Sequence, residues 1–220
     1  MHRQEGIHSQ NRASEPRSSR ERRRLKDTSA FITAMEDQQL GAFVQALAAK
    51  QPTPGGGAAA AIGAAIAAAA AVMAASYTQR KKDIESGAAA AAQELIAKLQ
   101  PQQLFAMAEA DAAAYADLQR SWKEADMSAE EKAKIEATAL QVPISLMQYC
   151  LTSITAIKAF LPSCNPNITS DAKVGIHQLA GSARAAYQTA LVNSPTPEVC
   201  AQLQGMLREM REIEDELLAP

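Results

Sequence analysis

Pro52-Thr53-Pro54-Gly55-Gly56-Gly57-Ala58-Ala59-Ala60-Ala61-Ile62-Gly63-Ala64-Ala65-Ile66-Ala67-Ala68-Ala69-Ala70-Ala71-Val72-Met73-Ala74-Ala75-Ser76 decides the fold of this chain. Two prolines and three glycines stop whatever precedes them, and the next nineteen residues carry no charge. Nineteen uncharged residues fit the length of a membrane span. Most are alanine, however, whose drive into lipid is far below that of leucine or phenylalanine. The chain's mean hydropathy is −0.18, and no second apolar run of this length occurs. The stretch therefore reads as the central helix of a bundle, apolar all round because it is surrounded. Gly63, Ala67 and Ala71 lie four apart and would let a neighbouring helix or subunit approach closely.

Working outward, Leu40, Phe43, Val44 and Leu47 repeat at helical spacing ahead of the turn. Arg80, Lys81 and Lys82 follow the alanine helix and complement its dipole. A third helix is expected over about 83–99, ending before Pro101. A fourth carries Leu104, Met107, Asp111, Tyr115 and Leu118 on one stripe. Ser128 and Glu131 form a capping-box pattern that opens a long helix containing Pro143. Proline has no N–H, so a carbonyl near Ala139 should be freed there. Ile168, Ala172, Gly175, Leu179, Ala183, Ala186 and Ala190 give a sixth helix, and Thr196-Pro197 starts a last one ending near Leu218. The expected fold is all-α, an up-and-down bundle of about six or seven helices around the alanine-rich one. An aromatic content of 4% argues against a β-sandwich or barrel.

Residues 1–30 hold eight basic and four acidic side chains and almost nothing apolar, so they read as a disordered, solvated basic tail, the alternative being a basic arm that touches nucleic acid or membrane. The helical domain is expected over 31–220. The rest of the chain is acidic and the net charge is −2, so neither nucleic acid nor membrane is an expected partner. Cys150, Cys164 and Cys200 are odd in number and no signal peptide precedes them; free thiols and a cytoplasmic location fit. No group of His, Cys and carboxylate has metal-ligand spacing, so no metal is expected.

Three places could carry chemistry. Asp111 puts a carboxylate on a core-facing stripe, where it must find a partner or hold its proton. Its bland alternative is a border residue paired with a cation. Asp171, behind Thr169 and Ser170, is explained by helix capping alone. Gly55, Gly56 and Gly57 feed a helix N-terminus whose exposed amides can hold an oxygen-rich group, or simply make a tight turn. His177 is expected to be a satisfied packing residue.

In their order, these features resemble the cyclodeaminase/cyclohydrolase family, comprising the cyclodeaminase domain of formiminotransferase-cyclodeaminase and the bacterial methenyltetrahydrofolate cyclohydrolases. The similarity rests on Thr53 to Gly57, the alanine helix, Lys81-Lys82, Asp111 before Ala114-Tyr115, Val142-Pro143, and Asn165-Pro166-Asn167 with Ser170-Asp171, over roughly residues 38–193. Two departures stand out: Ala58 where the family usually has serine, and Thr189 at the first position of Asn-Val-x-x-Asn, whose last residue is kept as Asn193. The resemblance implies a homodimeric enzyme of folate one-carbon metabolism, either a cyclohydrolase or a cyclodeaminase, with a tetrahydrofolate derivative as substrate. No formiminotransferase domain lies within these residues, which tilts the expectation towards the cyclohydrolase. It further implies Asp111 as the catalytic group. Thr53, Gly55, Gly56 and Gly57 would lie against the ligand, and Lys81 and Lys82 would attract its glutamate tail. Asn165, Asn167 and Asp171 would read the pterin edge. The alternative is a divergent, non-catalytic helical module that binds folate or a protein partner.

Overall fold

Helix formation in this chain follows its glycine and proline punctuation. The computed structural model describes residues 39–219, and the tail expected over 1–30 lies outside them. Every regular element among the described residues is helical. Helices α1 (Leu40–Ala48), α2 (Gly56–Ser76), α3 (Lys81–Glu85), α4 (Ala88–Leu99) and α5 (Gln103–Lys123) make up the first half. Helix α6 (Ala129–Phe160), a 3-10 turn at Leu161–Ser163, α7 (Thr169–Leu191) and α8 (Pro197–Leu218) complete the bundle. Seven helices have nine residues or more, and α3 has five.

The helix expected over 83–99 is two helices. Gly87 has φ +83°, a left-handed conformation that a helix interior does not contain and that glycine adopts without cost. The capping-box pattern at Ser128 is half realised. The Ser128 hydroxyl accepts from the Glu131 N–H at 3.1 Å, while the Glu131 carboxylate pairs with Arg120 at 3.3 Å. Thr196 caps α8 by accepting from the Val199 N–H. On α1 only Phe43 is buried; Leu40 and Val44 are exposed, so its apolar stripe is only partly covered.

The core is built round α2, which packs most extensively on α7 and next on α5 and α4. Twelve of its 21 residues are buried, all glycine or alanine except Ile62. Helix α7 runs antiparallel to it. Gly175 sits where a Cβ would come within 2.9 Å of the Ala67 carbonyl oxygen and 3.1 Å of the Ala71 Cβ. A Cβ on Gly63 would lie 3.0 Å from the Ser182 hydroxyl oxygen. The small-residue spacing on α2 thus receives a helix of the same chain, with backbones closer than larger side chains allow. By length and composition α2 and α6 both suffice to cross a membrane, but a core helix passes the same test. Burial on several sides gives α2 the character of a core helix.

Pro143 does not break α6, which continues on both sides of it. The carbonyl of Ala139 has lost its ordinary donor, the N–H of residue 143. Asn193, just past α7, supplies a replacement: its side-chain Nδ2 donates to that carbonyl at 3.2 Å.

Candidate active site

Helix α2 begins without a side-chain cap. Gly55 precedes it in extended conformation, and the first-turn N–H groups have no partner inside the helix. One of them, on Ala58, donates to Asp111 Oδ2 of α5 at 3.0 Å. A carboxylate from another helix therefore does what an N-cap aspartate would do, and it meets the positive end of the α2 dipole. Gly57 makes the approach possible. A Cβ there would lie 1.9 Å from Asp111 Oδ1 and 2.4 Å from its Cγ.

The remaining walls of this small cavity are carbon. Met107 lies one turn back on α5, Val142, Pro143 and Leu146 come from α6, and Ala186 comes from α7. Asp111 is half-buried among them. Burial raises its pKa above the ordinary aspartate value, and the Ala58 hydrogen bond only partly opposes the rise. A carboxyl group held in this way can hold or release a proton and can face a cation when ionised. Ala58 itself is fully buried, and its backbone rather than a side chain holds the carboxylate.

Thr53, Gly55, Gly56 and Gly57 lead into this end of α2, with a cis peptide between Thr53 and Pro54. The other expected residues gather at the opposite end. Asn165 is buried there with its side chain engaged on both sides: Nδ2 donates to the Tyr77 carbonyl at 3.1 Å, and Oδ1 accepts from Arg80 Nη1 at 2.6 Å. Arg80 also grips both carboxylate oxygens of Asp83 at 2.7 Å. That pairing holds the Asp83 carboxyl down at about 2, against the opposing effect of burial. The Asn167 N–H donates to Asn165 Oδ1 at 3.2 Å, while the side chain of Asn167 is exposed. Asp171 sits in the first turn of α7 and accepts from the Ser170 hydroxyl at 3.2 Å. Lys81 and Lys82 are exposed at the start of α3, with Lys81 3.9 Å from Glu85. The length of α2, about 30 Å for 21 residues, separates the two groups within one chain.

A groove of about 730 Å³ along α1, α2, α4 and α5 is far larger than the cavity at Asp111. Its lining, from Leu40 and Phe43 to Phe105, is apolar apart from the amides of Gln100 and Gln102. It holds no ionisable side chain. One polar cluster went unanticipated. Glu214 of α8 is buried and accepts from Arg184 Nη1 at 2.6 Å, and its Oε1 lies 3.1 Å from His177 Nδ1. Helical periodicity on α8 puts Glu214 one residue after Ile213 and so gives no sign that both are buried.

A family model described as formiminotransferase-cyclodeaminase matches residues 39–218. Among solved structures, that of a formiminotetrahydrofolate cyclodeaminase from Thermotoga maritima is similar in fold, with a TM-score of 0.64 and 22% sequence identity. The similarity covers 84% of this chain and 99% of that one. No curated protein sequence matches the chain.

Proposed function

This chain belongs to the formiminotransferase-cyclodeaminase family, and from that membership we propose that it acts on a tetrahydrofolate carrying a one-carbon unit, with Asp111 as the catalytic group. The observation that carries this reading is the Asp111 carboxyl, its pKa raised by burial and its position fixed by the Ala58 N–H over Gly57. As a cyclohydrolase, the enzyme adds water to the cationic methenyl carbon. Asp111 takes a proton from that water and returns one to the ring nitrogen as its bond to the carbon breaks, while the carbinol hydroxyl gives up its remaining proton to solvent and becomes the formyl carbonyl. As a cyclodeaminase, N10 attacks the formimino carbon and gives up its proton, and ammonia leaves after protonation. Ionised Asp111 stabilises the amidinium in either direction.

Thr53 and the three glycines lie against the ligand in this reading, Lys81 and Lys82 attract its glutamate tail, and Asn167 and Asp171 meet the pterin edge. Asn165 contributes by holding that second group in place, since its own amide is already engaged. One protomer separates the two groups by the length of α2, which supports a homodimer with antiparallel α2 helices. Each site then takes Asp111 from one subunit and the basic group from the other. The protein would work in the cytoplasm, where its thiols stay reduced.

Decay of methenyltetrahydrofolate absorbance, and release of ammonia from formiminotetrahydrofolate, test the two reactions directly. Asp111→Asn should lower kcat at least a hundredfold, the usual worth of a positioned acid–base group. Wild-type turnover in that variant would remove the catalytic assignment, and tight folate binding without any turnover would instead favour a non-catalytic binding module. Mixing Asp111→Asn with Lys81→Ala/Lys82→Ala protein should recover roughly a quarter of wild-type activity, because half the dimers are mixed and each has one intact site. No recovery would rule out the shared site.

A further inference from the structure

We propose that Asn193 is a positioning residue for Asp111: its side-chain amide stands in for the N–H that Pro143 lacks, and so holds the Val142–Pro143 turn of α6 against the carboxylate. The inference rests on the reading of Asp111 as the catalytic group. Ala139 is buried, so water does not readily reach its carbonyl, and an unpaired buried carbonyl is costly. Asn193 spends both hydrogens of Nδ2, one on Ala139 at 3.2 Å and one on its own helix at the Thr189 carbonyl, 3.0 Å away. The side chain thereby fastens α6 to the end of α7 at the turn that carries Pro143.

That turn matters because of what faces it. Val142 and Pro143 line the same cavity as Asp111 and Gly57, and Pro143 is buried. Their carbon surface is part of what keeps water from the carboxyl group. With the Ala139 carbonyl unpaired, α6 must bend or admit water there, and Asp111 would lose part of its dry wall. A leucine at position 193 cannot donate, and neither can an ionised aspartate of nearly the same shape. Residues 139 and 193 lie 54 positions apart. The proline, the carbonyl and the amide thus form one unit across two helices.

The test removes the need as well as the partner. Asn193→Leu and Asn193→Asp are made alone and in a Pro143→Ala background, where residue 143 regains its N–H and can bond Ala139 within α6. Three readouts are followed: the titration of the Asp111 side-chain carboxyl by NMR, the melting temperature, and kcat and KM on methenyltetrahydrofolate. In the single variants the Asp111 titration should move down towards the ordinary aspartate value. Their kcat should fall ten- to a hundredfold, about what a misplaced wall costs, with KM changed much less. In the Pro143→Ala background the same substitutions should change all three readouts by no more than about twofold or its equivalent. An unmoved Asp111 titration in folded Asn193→Leu overturns the proposal. So does equal loss with and without Pro143, or failure of the double variant to fold. The titration and the melting comparison need no turnover, so an inactive wild-type protein would remove the folate reading while leaving the role of Asn193 to be decided.

Discussion

Asp111 and Gly57 act as a pair: the carboxylate is held where it is because the glycine has no side chain. Gly57→Ala would be neutral or helpful in an ordinary helix. Here it drives the carboxylate off the Ala58 N–H, with loss of a charged hydrogen bond worth about 1.5–3 kcal/mol. We expect lower stability by urea unfolding and at least tenfold lower activity. Asp111→Asn should do the reverse to stability. Because burial raises the folded pKa of Asp111, its ionised form is penalised as pH rises through that folded value. The amide keeps an acceptor for Ala58 without the charge, so the variant should melt higher at pH 7 while losing turnover, a trade familiar at active sites. A lower melting temperature would show that the ionised group stabilises the fold. Periodicity alone picked out Asp111 as a carboxylate on an apolar stripe. It had no means of showing that the group bonds a backbone N–H 53 residues earlier.

At the scale of elements, α2 and α7 approach through glycine, and the same substitution should have opposite signs along one helix. Gly175→Ala places a methyl group 2.9 Å from the Ala67 carbonyl oxygen, so the helices must part at a cost of about 1–3 kcal/mol. Gly181→Ala meets nothing nearer than Arg184 Nη2 at 3.9 Å, and should gain about 0.5–1 kcal/mol from helix propensity. Thermal melts of the two variants decide this, and equal shifts would mean that the packing is looser than described. Helix α8 is tied down differently, through Glu214. Burial pushes that carboxyl up, but its hydrogen bonds to Arg184 and His177 outweigh burial and hold its pKa below the ordinary glutamate value. Its contribution is therefore complete above the ordinary pKa and lost as pH falls through the folded one. Glu214→Gln should cost roughly 1–2 kcal/mol at pH 7, discounted for the half-exposed Arg184, and less at an acid pH below the ordinary glutamate value. Urea unfolding at the two pH values measures the difference. The helices on this side were legible from spacing and caps because those are local. Gly87 was not, since one glycine in a run of alanines carries no sign of its φ.

For the whole molecule, the sequence made the bundle readable and left the site in two parts. The ordered motifs located residues at both ends of α2, but linear order says nothing of the roughly 30 Å between those ends. If two copies complete one site, specific activity should fall on dilution as dimers separate, in step with the mass seen by sedimentation. Constant activity in a demonstrable monomer would require a site within one chain. The alanine surface of α2 also limits how this protein can change. At its buried positions other than Ile62 the usable alphabet is nearly glycine, alanine and serine, since each larger residue must push a packed neighbour such as α7 or α5 aside. A deep mutational scan should show intolerance there that hydrophobicity does not rank, with leucine and valine tolerated little better than aspartate. Homologues that drift freely on α8 would then still read alike along α2, kept so by lack of space rather than by chemistry.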